Sequence, residues 1–219
     1  KINDTNASII LSPPNVYRYL RNVSFHTICD AYVHNARYFT PCHELEMCIP
    51  CELSNAYGIH LRKSDKIVSE SNRHENTISE HNRIMDAVLS DIQTIIQCEV
   101  NPIFFLCSED CGWKTHVRDL IHSKSNGNIT FIDVNTCDRR QGAQDFLEFF
   151  ALSRCKAIFT TVKYSTFSIM ASLVGNVPIY TYAHLCDNYS DCCIHFWLPV
   201  IRNAHLERMV TLEKRIVFN

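Results

Sequence analysis

Apolar residues in this chain fall into two alternating spacings. Gly58 to Arg62 reads as a strand, with Ile59 and Leu61 on one face and His60 and Arg62 on the other, because successive strand side chains point to opposite sides. Thr77 to Cys98 carries Ile84, Val88, Ile92, Ile95 and Ile96 at helical spacing. Pro102 to Cys107 is a continuous apolar run of the kind buried on both faces of a sheet. A helix over Trp113 to Ser123 then leads through Asn126-Gly127 to a second such run, Ile129 to Val134. A helix over Asp145 to Ser153, a strand over Ala157 to Thr161, a helix over Ser165 to Val174 ended by Gly175, and a strand over Val177 to Thr181 complete the series. Alternation from Tyr57 to Thr181 predicts an α/β fold, a parallel sheet with helices on both faces.

Outside that span the pattern loosens. Ser12-Pro13-Pro14-Asn15 is a turn, Val16 to Leu20 a short helix, Tyr38-Phe39-Thr40-Pro41 a break, and Glu44-Leu45-Glu46-Met47 a helical turn or two. The expected organisation is a short N-terminal lobe over 1–50, the α/β domain over 51–185 and a C-terminal extension over 186–219, of which Pro199 to Asn219 packs back on the body. Within the extension, Cys186 to Cys193 reads as a loop that a disulfide could staple.

Composition narrows the class. The 219 residues are 46% hydrophobic and 20% charged, enough for one core or one core with a smaller lobe. A net charge of -2 gives no basic face for a polyanion, so no nucleic-acid partner is expected. No apolar run approaches the roughly 18 residues of a membrane span, so no membrane contact is expected within this chain, and the start lacks the features of a signal peptide. Twelve cysteines cluster as Cys48 with Cys51, Cys107 with Cys111, and Cys186 with Cys192 and Cys193. These spacings are irregular for zinc, so disulfides or scattered buried thiols are expected rather than metal. Asn-x-Ser/Thr triplets at Asn3, Asn6, Asn22, Asn128 and Asn188 lean toward a secretory route, although an Asn-rich chain also makes such triplets by accident.

Candidate chemistry gathers at strand ends. His60, Arg62, Lys63, Asp65 and Lys66 follow one strand, with Glu70 and His74 a few residues on. Open α/β sheets bind ligands outside the carboxyl ends of their strands, where a guanidinium holds a phosphate through two parallel hydrogen bonds and a carboxylate serves as base. A strand end followed by a solvated charged loop accounts for the same residues. Glu109-Asp110, after the next strand, suits a metal, a ribose, a neighbouring Arg, or a plain helix N-terminus. Tyr164-Ser165-Thr166-Phe167-Ser168 opens a helix with hydroxyls in its first turn, which makes an anion site or an ordinary N-cap. Glu148 is expected on the exposed or cleft-facing side of a mostly apolar helix, and a solvated helix face would explain it equally.

In this order and spacing, these stretches resemble the GDP-fucose-dependent fucosyltransferases, most closely the core α-1,6-fucosyltransferase group. Members of that group have a strand ending in His-x-Arg-Arg-Thr-Asp-Lys, which reads here His60-Leu61-Arg62-Lys63-Ser64-Asp65-Lys66. Glu70 and His74 match the acid and histidine that follow, Glu109-Asp110 the acidic pair, and Glu148 to Ser168 the later motif. Ser165-Thr166-Phe167-Ser168 is also similar to the Ser-Thr-Phe-Ser of the α-1,2-fucosyltransferases. The resemblance covers about Phe39 to Tyr182.

The resemblance implies a GT-B-like glycosyltransferase in which a Rossmann-like lobe, most of this chain, holds GDP-fucose, beside a short acceptor-side lobe. It implies guanine contacts from His60 and Glu148, diphosphate contacts from Arg62, Ser165 and Thr166, and Glu70 as base toward a glycan or glycoprotein acceptor. Lys63, Asp65, Lys66, Glu109, Asp110 and Phe167 would complete the donor site and its charge. No cofactor or metal is implied, because cations and a helix start supply the positive charge. The location implied is the Golgi lumen or secretory pathway, or the cytoplasm for a bacterial or viral protein. Two departures stand out: the family's second Arg is Lys63, which cannot make the same bidentate contact, and its guanine-reading Asp is Glu148. A transferase using another nucleotide sugar, or a binding module without catalysis, fits the same motifs.

Overall fold

The computed structural model describes residues 36, 38–62, 78–125, 127–136, 142–162 and 165–182. They form α1 (His43–Glu46), a 3-10 turn (Cys51–Asn55), β1 (Ala56–Leu61), α2 (Ile78–Cys98), β2 (Ile103–Ser108) and α3 (Cys111–Lys124). β3 (Thr130–Ile132), α4 (Ala143–Arg154), β4 (Ala157–Thr160), α5 (Thr166–Gly175) and β5 (Ile179–Tyr180) follow. All five strands run parallel in the order β3-β2-β1-β4-β5. The chain thus builds outward from β1 to β3, then returns to the other side of β1. That reversal makes the carboxyl ends of β1 and β4 the switch point, where open α/β sheets place their ligand crevice.

Strand alternation sorts the core into two layers. Tyr57, Ile59 and Leu61 of β1 join Phe104 and Leu106 of β2, Ile84, Val88 and Ile92 of α2, and Val117 and Ile121 of α3. Phe105 and Cys107 of β2 join Leu147 and Leu152 of α4 and Ile169 and Ala171 of α5 on the opposite face. Both faces are covered, as the continuous apolar runs require. Ile84 and Ile92 are completely buried, and each such side chain contributes about 1.5–3 kcal/mol.

Two expectations are corrected by the packing. α3 and α4 each begin two residues before the predicted start, and β3 and β5 are shorter than predicted because each, as the outermost described strand, has a ladder partner on one side. Gly175 does not end α5 from outside; it is the helix's last residue, and Asn176 takes the left-handed cap with φ 51°. The glycine is there for space: a Cβ on it would lie 1.7 Å from the Ser153 carbonyl oxygen of α4. Gly58 has the same function under α4, where a Cβ would stand 2.6 Å from Leu152 Cδ1 and 3.0 Å from Cys155 Sγ.

Among the described residues the cysteines follow the second of the two expected alternatives, free thiols rather than disulfides. Cys42, Cys48, Cys51, Cys98, Cys107, Cys111 and Cys155 are all free, so neither Cys48 with Cys51 nor Cys107 with Cys111 forms a bridge. Cys107 and Cys155 are buried thiols within the α4–α5 layer. Cys186, Cys192 and Cys193 lie outside the described residues, as does most of the predicted N-terminal lobe. The part of that lobe that is described packs on the sheet body: Leu45 shares the core with Leu53 and α4, and Arg154 Nη2 meets the Glu46 carboxylate at 3.1 and 3.2 Å. No helix among the described residues is long and apolar enough to cross a membrane.

Replacing Gly175 with Ala should force α4 and α5 apart. Overpacking of this kind costs roughly 1–3 kcal/mol, and thermal unfolding should show a Tm lowered by about 2–10 °C. An unchanged Tm would mean that the two helices can separate without loss.

Candidate functional site

The crevice between β1 and β4 is built from side chains that the sequence keeps far apart. Alternation turns His60 toward the α4–α5 face, where it is buried, with 3% of its surface exposed. Burying an unsatisfied polar ring is costly, and the first turn of α5 satisfies this one. His60 Nδ1 lies 2.6 Å from Ser168 Oγ and 3.2 Å from Ser165 Oγ. The ring also stacks on Phe167, with centroids 5.0 Å apart and planes 28° from parallel, while Phe149 meets Phe167 edge-on at 5.4 Å.

Ser165 is the N-cap of α5. Its Oγ accepts from the Ser168 backbone N–H at 3.2 Å and from the Ser168 hydroxyl at 3.1 Å. The N-cap reading of Ser165 is therefore realised, and in the same place as the histidine. The amides of Thr166 and Phe167 precede any intrahelical acceptor, so this helix start keeps its bias toward an anion.

Thr161 fastens the strand ends on the other side. Its backbone N–H and hydroxyl donate to the His60 carbonyl at 3.1 and 3.2 Å, and its Oγ1 accepts from the Arg62 N–H at 3.2 Å. Arg62, half-buried, thus leaves β1 at the mouth of the crevice. Lys63, Asp65, Lys66, Glu70 and His74 lie outside the described residues.

A second polar node forms at the end of β2. Glu148 of α4 is buried, so of its two expected settings, exposed or cleft-facing, the solvated helix face does not hold; Phe146 is an exposed residue of that helix. Glu148 Oε2 accepts from the Ser108 N–H at 3.2 Å, and Oε1 accepts from Lys114 Nζ and Gln144 Nε2, each at 3.4 Å. Gln144 Nε2 also donates to the Val134 carbonyl at 2.9 Å, so β3's exit is tied to the same group. Lys114 lies 4.0 Å from Asp133, which Arg118 meets at 2.5 Å.

Asp110 resolves the acidic pair toward its plainer reading: it caps α3, accepting from the Trp113 N–H at 2.9 Å. Its own N–H donates to Ser108 Oγ at 3.2 Å, and Glu109 beside it is exposed. The two nodes are neighbours, because His60 stands opposite Cys107 in the β1–β2 ladder and the Cys107 thiol lies within the influence of the Glu148 carboxylate. Burial first, then the Glu148 carboxylate, pushes that thiol well above its ordinary range.

His60, Ser165, Phe167 and Glu148 are thus brought into one region, while Asp110 serves a helix end. Ser168, Thr161, Lys114 and Gln144 were not among the predicted site residues. Ser168 could have been found as the third residue past an N-cap serine, the position a cap contacts. Lys114 carries no local signal, since only the fold makes it a neighbour of Glu148, whereas Gln144 lies one helical turn before Glu148 on α4 and that spacing could have found it. No group of three or more His, Cys, Asp or Glu side chains that could hold a metal ion occurs among the described residues.

Ser165→Ala should remove the cap and one partner of His60, costing about 1–2 kcal/mol in denaturant unfolding, whereas Ser165→Thr should lose much less. Because the thiolate is the reactive form, Cys107 should resist alkylation in the folded protein at pH 8 while exposed Cys51, Cys98 and Cys111 react, and mass mapping of labelled peptides checks this. Early labelling of Cys107 would show that the second node is open to solvent. No protein-family model and no curated protein matches this chain.

Proposed function

We propose that this chain is the nucleotide-sugar-binding lobe of an inverting, GDP-fucose-dependent glycosyltransferase of GT-B-like, Rossmann-like plan. The observation that carries the reading is the meeting of two motifs 105 and more residues apart: His60, from the strand that runs into Arg62, and Ser165 to Ser168, which open α5. They meet where the strand order reverses, beside a helix start suited to phosphate.

In this reading Arg62 and the start of α5, with Ser165 and Thr166, hold the diphosphate. His60 and Phe167 form the ring-lined wall toward the guanine, and Glu148 is the acid on that side. Glu70 takes the proton of the acceptor hydroxyl as its oxygen attacks the sugar's anomeric carbon from the face opposite the diphosphate. The carbon–oxygen bond to GDP breaks in the same step, and Arg62, Lys66 and the helix start offset the charge gathering on the leaving group.

One observation favours a second reading. Both oxygens of Glu148 already accept hydrogen bonds from the chain, and Glu stands where the family has Asp, so the base read at this position is open. A transferase of the same plan using another nucleotide sugar fits that geometry.

A thermal-shift panel of GDP, GDP-fucose, GDP-mannose and UDP-sugars separates the two. A ligand at a hundred times its Kd stabilises the folded state by about 2.7 kcal/mol, so the recognised donor should stand out. Selective stabilisation by GDP-fucose supports the first reading, selectivity for a different sugar nucleotide the second, and no shift with any of them defeats both. Arg62→Ala should weaken GDP binding by about tenfold or more in calorimetry, the loss expected for one charge-assisted hydrogen bond. Glu70→Ala should leave that affinity intact and abolish transfer; a variant that transfers as fast as the parent removes Glu70 from the reaction.

A further inference from the structure

Of the five Asn-x-Ser/Thr triplets, Asn128-Ile129-Thr130 is the one that falls among the described residues. It occupies the connection from α3 to β3, with Asn128 and Thr130 both exposed and Ile129 partly buried against the α2–α3 core. The triplet runs into β3, of which Thr130 is the first residue, so it lies at the amino end of a parallel sheet, opposite the strand ends that carry His60 and Arg62. Asn128 also borders a hollow of about 200 Å³ lined by Ile96, Glu99, Val100, Asn101 and Ser125. Val100 in that wall is 90% exposed, an apolar surface bare of any cover from the described residues.

We infer that Asn128 is an acceptor for an N-linked glycan. Such acceptors lie on surface loops with the hydroxyl residue accessible two positions on, which is the arrangement here. In the modification the Asn128 amide nitrogen attacks C1 of a lipid-diphosphate-linked oligosaccharide. A C1–N bond forms, the C1–O bond to the diphosphate breaks, the amide gives up one proton, and the lipid diphosphate departs. The first sugar then has the hollow and the bare Val100 surface to lie against. Among the described strands β3 is outermost, and an outer strand offers unpaired backbone groups to other chains. A branched hydrophilic chain rooted two residues before β3 shields that edge while leaving the opposite end of the sheet open. The inference requires the secretory route that the fucosyltransferase reading also implies, but its readout is independent of donor binding, so either can fail alone.

The test is translation of the full chain behind a secretory leader in the presence of microsomes, with glycans counted by gel shift and located by mass spectrometry after amidase release in heavy-oxygen water. The parent chain and Thr130→Ser should each carry one glycan more than Asn128→Gln and Thr130→Ala, and the Asn128 peptide should return as Asp bearing one heavy oxygen. Equal glycan numbers in the parent and Asn128→Gln, or an unlabelled Asn128 peptide, overturn the inference. Made in bacteria without glycans, Asn128→Gln should unfold at the parent's temperature; a marked fall would show that the amide holds the loop together and is not a free acceptor.

Discussion

The buried imidazole of His60 is the constraint from which the site follows. A strand covered on both faces offers no water to a polar ring, and an unsatisfied group there costs roughly 1–3 kcal/mol. The partners come from Ser165 and Ser168, more than a hundred residues later, so the first turn of α5 is fixed over the end of β1. Phe167 closes the arrangement by stacking on the same ring. Once α5 is held there, its positive end lies at the carboxyl end of β1, beside the topological switch.

Close packing of α4 makes the second half of the region. Gly58 and Gly175 remove the Cβ atoms that would otherwise strike Leu152, Cys155 and Ser153, so α4 lies tightly against both β1 and α5. At that separation Glu148 reaches the end of β2 and takes the Ser108 amide, Lys114 and Gln144 as donors. The result is two adjoining polar nodes at the carboxyl edge, linked through the Cys107 position of the ladder.

Their chemistry is asymmetric. The node at β1 and β4 combines hydroxyls, stacked rings and a helix start beside Arg62, features that suit a phosphate and a flat base. The node at β2 is internally neutralised, with a carboxylate already paired, and its part is more readily that of a wall than of a binding charge.

The α/β class, the parallel sheet and every strand–helix alternation from β1 to β5 were legible in the sequence, because burial on one or both faces imposes a period that local residues must obey. The N-cap role open to Ser165 was also legible, since caps are satisfied within one turn, whereas Asp110 was legible only as an acid favoured near a helix start. Gly175 was misread for the opposite reason: sequence offers a helix stop, and only the Ser153 carbonyl pressed against it makes space the requirement. Whether Glu148 faces solvent or the cleft was left open by the sequence because Ser108 and Lys114 come from β2 and α3 and only the closed packing sets them beside it, while Gln144 already lies one turn away on α4. What a residue does within its own turn or strand was determined by the chain alone; which distant residues share its dielectric and its hydrogen bonds was decided by the tertiary structure, because burial creates the need for a partner and only packing supplies one.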